Sequence, residues 1–313
     1  MGVVRRIAWS YSRGTALAGC PRAFFFEYCS EGEPDLAMAP YLRKLRTLPM
    51  SAGSIVDGHV AIALGRMRAR RPIGRRLAEE AVELLGSHVA ASPARVEILR
   101  GGMAIRDHEH AYQNDFYGRG HRSEELESAI AQVREATEGF LSSPVIQRLA
   151  RCSPDALVLP PRRPPHFLLD DVPVFAALDF VLRHGEKALI IDWKTSRRTD
   201  QSEESAQRQL GVYATYLVEG LGYRPENVML QAVWLREGWI WGPEPARPFL
   251  LTMVQEEARE QIASLRGRLW RDVVRGESVW RADRGAFEAR PSARRCIGCK
   301  FLELCGEGKV AVQ

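Results

Sequence analysis

The chain has 313 residues, enough for one large domain or two small ones with a sizeable core. Its composition, 45% hydrophobic and 27% charged, is ordinary for a globular protein, and no apolar run approaches the roughly 20 residues of a membrane helix. With 44 Lys and Arg against 39 Asp and Glu the formal charge is +5, a weak lean towards a polyanionic partner.

Residues 1–50 read as irregular, with an aromatic-rich stretch, CPRAFFFEYC. Residues 52–68 predict a helix, because Val56, Val60, Ala63, Leu64 and Met67 recur at helical spacing. Residues 75–91 and 122–150 are also helical by pattern, the second opening on a serine followed by acids. Between them, 92–120 is polar, and its His108 and His110 read as a solvated loop rather than a metal site. Beyond about residue 155 the character changes. ALVLPP, HFLLDD, VPVFAALDFVLRHG and KALIIDWKTS are short apolar runs bounded by Pro, Gly and Asp, which predict strands. Residues 202–220 return to helix, with Ala206, Leu210, Tyr213 and Leu217 on one stripe. NVMLQAVWLREG predicts another strand and RPFLLTM a further one, before a last amphipathic helix over 254–274 and a cysteine-rich tail. This order is that of an α/β or mixed α+β protein.

Two apolar runs flank Gly185-Glu186, and Gly at the first central position signals a type II′ hairpin. Pairing His184 with Lys187 sets Asp179 opposite Asp192. Cross-strand partners share a face, and Lys194, two residues past Asp192, shares it too. Strands this apolar read as buried on both faces, where two neighbouring carboxylates repel and are costly unless paired. A divalent cation relieves both problems, and carboxylate oxygen is the hard ligand that Mg²⁺ and Mn²⁺ prefer. A salt-bridged Asp–Lys pair inside a sheet is the bland alternative. Only five residues are lysine, so one placed beside two carboxylates in an arginine-rich chain suggests a need for a compact ammonium.

The chain has six cysteines, too few for a disulfide scaffold at this length, so a cytoplasmic protein with reduced thiols is expected. The first residues, MGVVRRIAWSYS, lack the apolar core of a secretory signal. Cys296, Cys299 and Cys305 have the spacing of a metal or cluster ligand set, one ligand short.

Asp179, a twelve-residue gap and then Asp192-Trp193-Lys194 resembles the D…(D/E)-x-K core of the PD-(D/E)XK nuclease superfamily. Gln209-Leu-Gly-Val-Tyr213 looks like the Q-x-x-x-Y motif of its RecB-like branch, and i, i+4 spacing puts both side chains on one helix face. Gly53-Ser-Ile-Val-Asp57 is similar to that branch's G-x-x-x-H motif, with Asp57 where the metal-binding histidine stands and His59 as the alternative ligand. The Fe–S subgroup, typified by AddB-type helicase-nucleases and CRISPR-adaptation nucleases, has one cysteine before the core and three near the C-terminus. Cys20, in a stretch resembling the subgroup's S-x-S…C-P-R signature, would complete the set with Cys296, Cys299 and Cys305. Cys29 is the other candidate for the fourth ligand, and four thiolates also suit Zn²⁺.

The resemblance implies one domain over 1–313 with a restriction-endonuclease-like core, a mixed sheet flanked by helices. Within it lie an N-terminal segment (1–50), a helical region (51–155), the nuclease core (156–253) and a C-terminal helix with the cluster-binding tail (254–313). A [4Fe–4S] cluster would join the two ends. Asp57, Asp179, Asp192 and the Trp193 carbonyl would hold Mg²⁺ or Mn²⁺. Lys194, Gln209 and Tyr213 would complete the catalytic set. The implied activity is that of a deoxyribonuclease, an exonuclease on single-stranded or end-containing DNA in repair, recombination or defence. It leaves room for a helicase or other repair or defence partner. A non-catalytic Fe–S DNA-binding subunit is the competing reading. Arg197, Arg198, the PRRPP stretch at 161–165, Arg294 and Arg295 are candidate phosphate contacts, and Phe24, Phe25, Phe26 and Tyr28 read as packing near the cluster before base stacking.

Overall fold

A computed structural model describes the chain from Met1 to Gln313 apart from Arg162 and Arg275. The hairpin forms in the register its turn predicts. Phe180–His184 pairs antiparallel with Lys187–Lys194, Phe180 opposite Ile191 and His184 opposite Lys187. Gly185 takes a φ of +58°, a conformation that an L side chain resists. Asp179 sits one residue outside the ladder.

This hairpin is the centre of a five-stranded mixed sheet. Its order is Trp239–Pro245, Val228–Trp234, Lys187–Lys194, Phe180–His184, Leu157–Val158. Lys187–Lys194 runs parallel to Val228–Trp234, and the helix Asp200–Thr215 makes the crossover between them. Both faces of the central strand are covered. Ile191 and Trp193 pack with the helices Leu48–Arg68, Leu77–Arg100 and Ser123–Ser142, while Ile190 packs with Leu210 and Tyr213 of Asp200–Thr215. Ile190 and Ile191 are fully buried. Each contributes about 1.5–3 kcal/mol by leaving water.

Local signals explain the helices that carry site residues. Leu48–Arg68 opens on Thr47, whose side chain accepts from the Met50 amide, with Pro49 in the first turn. Asp200–Thr215 opens on a Thr199–Ser202 capping box.

Several expectations need correction. RPFLLTM is not a strand. Pro248 begins a helix, Pro248–Arg266, whose buried Leu251, Val254, Ala258, Ile262 and Leu265 hold helical spacing. A short apolar run is ambiguous in period, and proline at the first helical position was the deciding signal. The last helix therefore ends at Arg266 rather than 274, and the chain continues as the strands Leu269–Val274 and Glu277–Ala282. Trp239–Pro245 was not anticipated, because two prolines argue against a strand; it lies at the sheet edge, with a bulge between Trp241 and Glu244, where proline is tolerated. The helix begun near 75 runs on through Pro93 to Arg100. The predicted helix over 122–150 is broken at Ser143-Pro144 into Ser123–Ser142 and Pro144–Leu149.

His110 is not solvated. It is buried, stacked on His88 with centroids 4.1 Å apart, and hydrogen-bonded through Nδ1 to Ser51. Nor is 1–50 irregular, since it holds the strand Gly2–Val4 and the helices Tyr11–Gly19 and Pro21–Tyr28.

The two ends of the chain meet. Gly2–Val4 pairs antiparallel with Glu277–Ala282 as the edge of a three-stranded sheet. The Cys20-bearing N-terminal segment and the tail share a core in which Phe24 and Phe25 pack on Phe287, and Phe26 packs on Phe301. Arg22 Nε donates to the Phe287 carbonyl at 2.8 Å, and Lys300 pairs with Glu27 at 2.7 Å. No helix among the described residues is long and apolar enough to cross a membrane.

Candidate active site

The end of the central strand gathers most of the predicted set. Asp192 is buried, at 1% exposure. Lys194 Nζ lies 2.7 Å from its Oδ2, yet off the direction of a hydrogen bond, so this buried oxygen accepts none. Asp179 is half-buried, and its Oδ2 accepts from the Trp193 amide at 3.0 Å. That bond ties the residue outside the ladder to the strand opposite it. Burial, then the Asp192 charge, pushes the Asp179 carboxyl well above the usual carboxylate range, with Asp57 adding to the push and the Trp193 amide and Lys194 opposing it.

Asp57 stands on Leu48–Arg68 and faces the same carboxylates. Desolvation, then the Asp192 charge, raises its pKa to about 6, and Lys194 opposes the rise. The residue still meets solvent, so water screens much of this interaction. His59 points elsewhere. It is buried at 9% exposure, and its Nδ1 is hydrogen-bonded at 2.8 Å to the Ile55 carbonyl of its own helix.

Lys194 Nζ also donates to Gln209 Oε1 at 2.7 Å, and Gln209 Nε2 donates to the Tyr213 hydroxyl. The two partners fix the amide's orientation, because only the oxygen can face an ammonium. Burial, then the Asp192 and Asp179 charges, holds the Tyr213 hydroxyl well above its ordinary pKa, so it stays protonated. Asp192, Lys194, Gln209 and Tyr213 thus form one chain of contacts.

The geometry also explains Gly53. A Cβ there would stand 3.2 Å from Thr195 Oγ1, so glycine lets the helix close on the strand's end. Gln132 reaches the same hydroxyl from Ser123–Ser142, at 3.5 Å. Sequence reasoning passed over Gln132, because a lone glutamine on a helix carries no periodic or motif signal.

Among the described residues, no group of three or more His, Cys, Asp or Glu side chains is gathered closely enough to hold a metal ion as it stands. The chemistry of the carboxylate group nevertheless fits a hard divalent cation. Three carboxylates repel one another at one place, and a buried Asp192 oxygen lacks a hydrogen bond.

Cys20, Cys296, Cys299 and Cys305 all line one small cavity between Pro21–Tyr28 and the tail. Burial raises the Cys299 pKa, the Phe301 amide lowers it, and the nearby Cys20, Cys305 and Cys296 thiols raise it further. Cys29 is buried away from this cavity, where desolvation pushes its thiol up to about 12. Cys152 lies apart, against the Arg148 carbonyl.

The candidate arginines differ. Arg198 is matched by Glu203 at 2.6 Å and Asp200 at 3.5 Å, whereas the exposed Arg197 has only loose contacts, 3.9 Å to Glu135 and 3.8 Å to Glu237. Arg294 and Arg295 are exposed in the tail, and Arg162 lies outside the described residues. Phe24, Phe25 and Phe26 are buried and cannot offer a stacking face, while Tyr28 is half-buried under Arg13.

The family model of the PD-(D/E)XK nuclease superfamily matches residues 8–306. The chain belongs to the PD-(D/E)XK nuclease superfamily. A comparison with curated proteins finds no match. The mixed sheet with helices on both faces is consistent with the restriction-endonuclease-like fold of this superfamily. The match runs from before Cys20 to just beyond Cys305, so the family's extent takes in the N-terminal segment and the tail as well as the hairpin.

Proposed function

We propose that this PD-(D/E)XK protein is a Mg²⁺- or Mn²⁺-dependent deoxyribonuclease, an exonuclease on single-stranded or end-containing DNA serving repair, recombination or defence. The observation that carries the reading is the position of Lys194 Nζ, 2.7 Å from both Asp192 Oδ2 and Gln209 Oε1 and beside the Asp179 and Asp57 carboxylates. A structural ion pair would need neither the extra carboxylates nor the amide relay.

In this reading Asp57, Asp179, Asp192 and the Trp193 carbonyl hold the divalent ion. When bound, the ion supplies Lewis acidity at the scissile phosphate and lowers the pKa of an attacking water. Lys194 orients that water and stabilises negative charge developing on the phosphoryl oxygens. Gln209 fixes the ammonium, and the Tyr213 hydroxyl fixes Gln209, so little reorganisation is needed as charge develops.

A [4Fe–4S] cluster on Cys20, Cys296, Cys299 and Cys305 belongs to the same reading. Their shared cavity supports it. Four thiolates leave no open coordination position, so the role is structural. A helicase or another repair or defence protein is the partner class this reading accommodates.

Incubation of end-labelled single-stranded, double-stranded and circular DNA with Mg²⁺ or Mn²⁺ tests the proposal. Release of short products from free ends is expected, with none from circles or in EDTA. Absence of cleavage on every DNA would refute it. DNA binding without turnover would instead select a non-catalytic Fe–S subunit, a reading favoured by Asp57 standing where the resembled motif has histidine.

A further inference from the structure

Beside the nuclease centre lies an open groove of about 380 Å³, lined in part by Arg46, Asn114, His121, Arg122, Ser128 and Gln132. It runs from the start of Leu48–Arg68 along the first turns of Ser123–Ser142. One end is continuous with the catalytic strand, since Gln132 reaches Thr195, the residue after Lys194.

The groove's charges are unequal in their freedom. Arg122 is engaged by Glu125, which also accepts from Asn114. Arg46 is half-buried and forms no ion pair among the described residues. The imidazoles near it, His88 and His110, carry no negative charge in either protonation state and so cannot pair with it. His121 presents a second unsatisfied group. Its side chain is 9% exposed, its Nε2 lies 3.3 Å from Asp115 Oδ2, and its Nδ1 has no hydrogen-bond partner. A half-buried arginine with no ion pair among the described residues, lining a groove beside a phosphodiester-cutting centre, is placed to take an anion. The volume is in the range of small-molecule sites, enough for one nucleotide and too small for a duplex.

We propose that this groove is a single-strand subsite, in which Arg46 holds a backbone phosphate of the DNA strand next to the nucleotide at the cleavage centre. The inference rests on the nuclease reading for its substrate class. Glu124 and Glu125 also line the groove and disfavour a second phosphate, so one phosphate and its nucleoside are held rather than a continuous track.

The test measures binding of a fluorescent single-stranded oligodeoxynucleotide to the full chain in EDTA over a range of salt, for the parent, Arg46→Ala, Arg46→Lys and Ser128→Trp. Ser128 is exposed on the groove wall, so the tryptophan fills the groove without entering the core. Arg46→Ala should weaken binding about tenfold and make the slope of log K against log salt shallower by about 0.7, the value for one phosphate on a single strand. Arg46→Lys should restore the slope, and Ser128→Trp should weaken binding with Arg46 intact. In cleavage, KM should rise in Arg46→Ala with kcat retained. Parent-like affinity and slope in both Arg46→Ala and Ser128→Trp would overturn the subsite while leaving the nuclease reading standing. Binding lost in these variants of a protein that never cleaves would refute the nuclease reading alone. A parent that binds no DNA would refute both.

Discussion

Lys194 and Asp192 stand two residues apart on one strand, on one face, with Nζ 2.7 Å from Oδ2. The pair alone would be an ordinary buried contact. Gln209 on one side of it and Asp179 and Asp57 on the other give it more charge than a structural pair can satisfy. Removing the ammonium should therefore be felt in the chemical step. Lys194→Ala is expected to lower kcat by on the order of 10²–10³-fold, the cost of a lost charge-stabilising donor. Gln209→Ala leaves the ammonium present but unguided, and should cost less, up to about 10²-fold. Single-turnover cleavage at saturating Mn²⁺ distinguishes these. Equal rates for Lys194→Ala and the parent would remove Lys194 from the mechanism.

Asp57→Asn should have opposite effects with and without metal. A carboxyl whose pKa rises on folding is stabilised in its protonated form. Stability is therefore highest below the unfolded pKa of about 4 and is lost as pH rises through about 6. Replacing Asp57 with the neutral amide should stabilise the metal-free protein above that range and do nothing below it. Because Asp57 meets solvent, the gain should stay under about 1 kcal/mol. Thermal melts in EDTA across pH check the sign. With Mn²⁺ the order should reverse, as the variant loses a ligand and the melting rise that the ion confers. A pH-independent difference in EDTA would argue against repulsion at this site.

If the proposed cluster is present, Cys20→Ala, Cys296→Ala, Cys299→Ala and Cys305→Ala should each abolish its binding, whereas Cys29→Ala and Cys152→Ala should not. Anaerobically purified parent should contain about four irons per chain. The ends are also held by the Gly2–Val4 pairing with Glu277–Ala282, by Arg22 on the Phe287 carbonyl and by Lys300 on Glu27. Cluster loss should thus loosen the tail without unfolding the central sheet, visible as faster amide exchange confined to the termini. Zinc in place of iron in the parent would overturn the cluster assignment.

Gly139→Ala tests the packing that places Ser123–Ser142 over the sheet. An added Cβ would clash with the Leu235 carbonyl oxygen, and a backbone atom cannot rotate away. The helix would be pushed off, with a loss of about 1–3 kcal/mol. The helix carries Gln132, so activity should fall along with the urea midpoint. An unchanged midpoint would show that the helix does not pack this closely.

The chemistry-bearing hairpin was legible because its information is local. Gly185-Glu186 sets the turn, the turn sets the register, and a two-residue period then brings Asp179, Asp192 and Lys194 to one side. Gln209 and Tyr213 were singled out by their resemblance to the Q-x-x-x-Y motif, and the pitch of a single helix puts them on one face. What depended on distant packing was misjudged. RPFLLTM and the apolar start of Pro248–Arg266 are the same residues, and only the core beneath them decides the period. His110 looks polar in a polar loop, yet it is buried against His88, 22 residues earlier in the chain. Trp239–Pro245 is a strand because Val228–Trp234 offers it an edge, not because its own residues demand one.

Sequence by itself determined the hairpin, its two carboxylates and its lysine, since turn geometry and strand period act over a few residues. It also singled out Cys296, Cys299 and Cys305, with Cys20 favoured by the resemblance and Cys29 left as the alternative fourth. Tertiary structure alone decided that Asp57 rather than His59 faces Asp192, that Cys20 and not Cys29 shares a cavity with the tail, and that Arg46 and Gln132 line one groove. Those relations join elements far apart in the chain, and their distances are set by which apolar faces bury one another rather than by any local pattern.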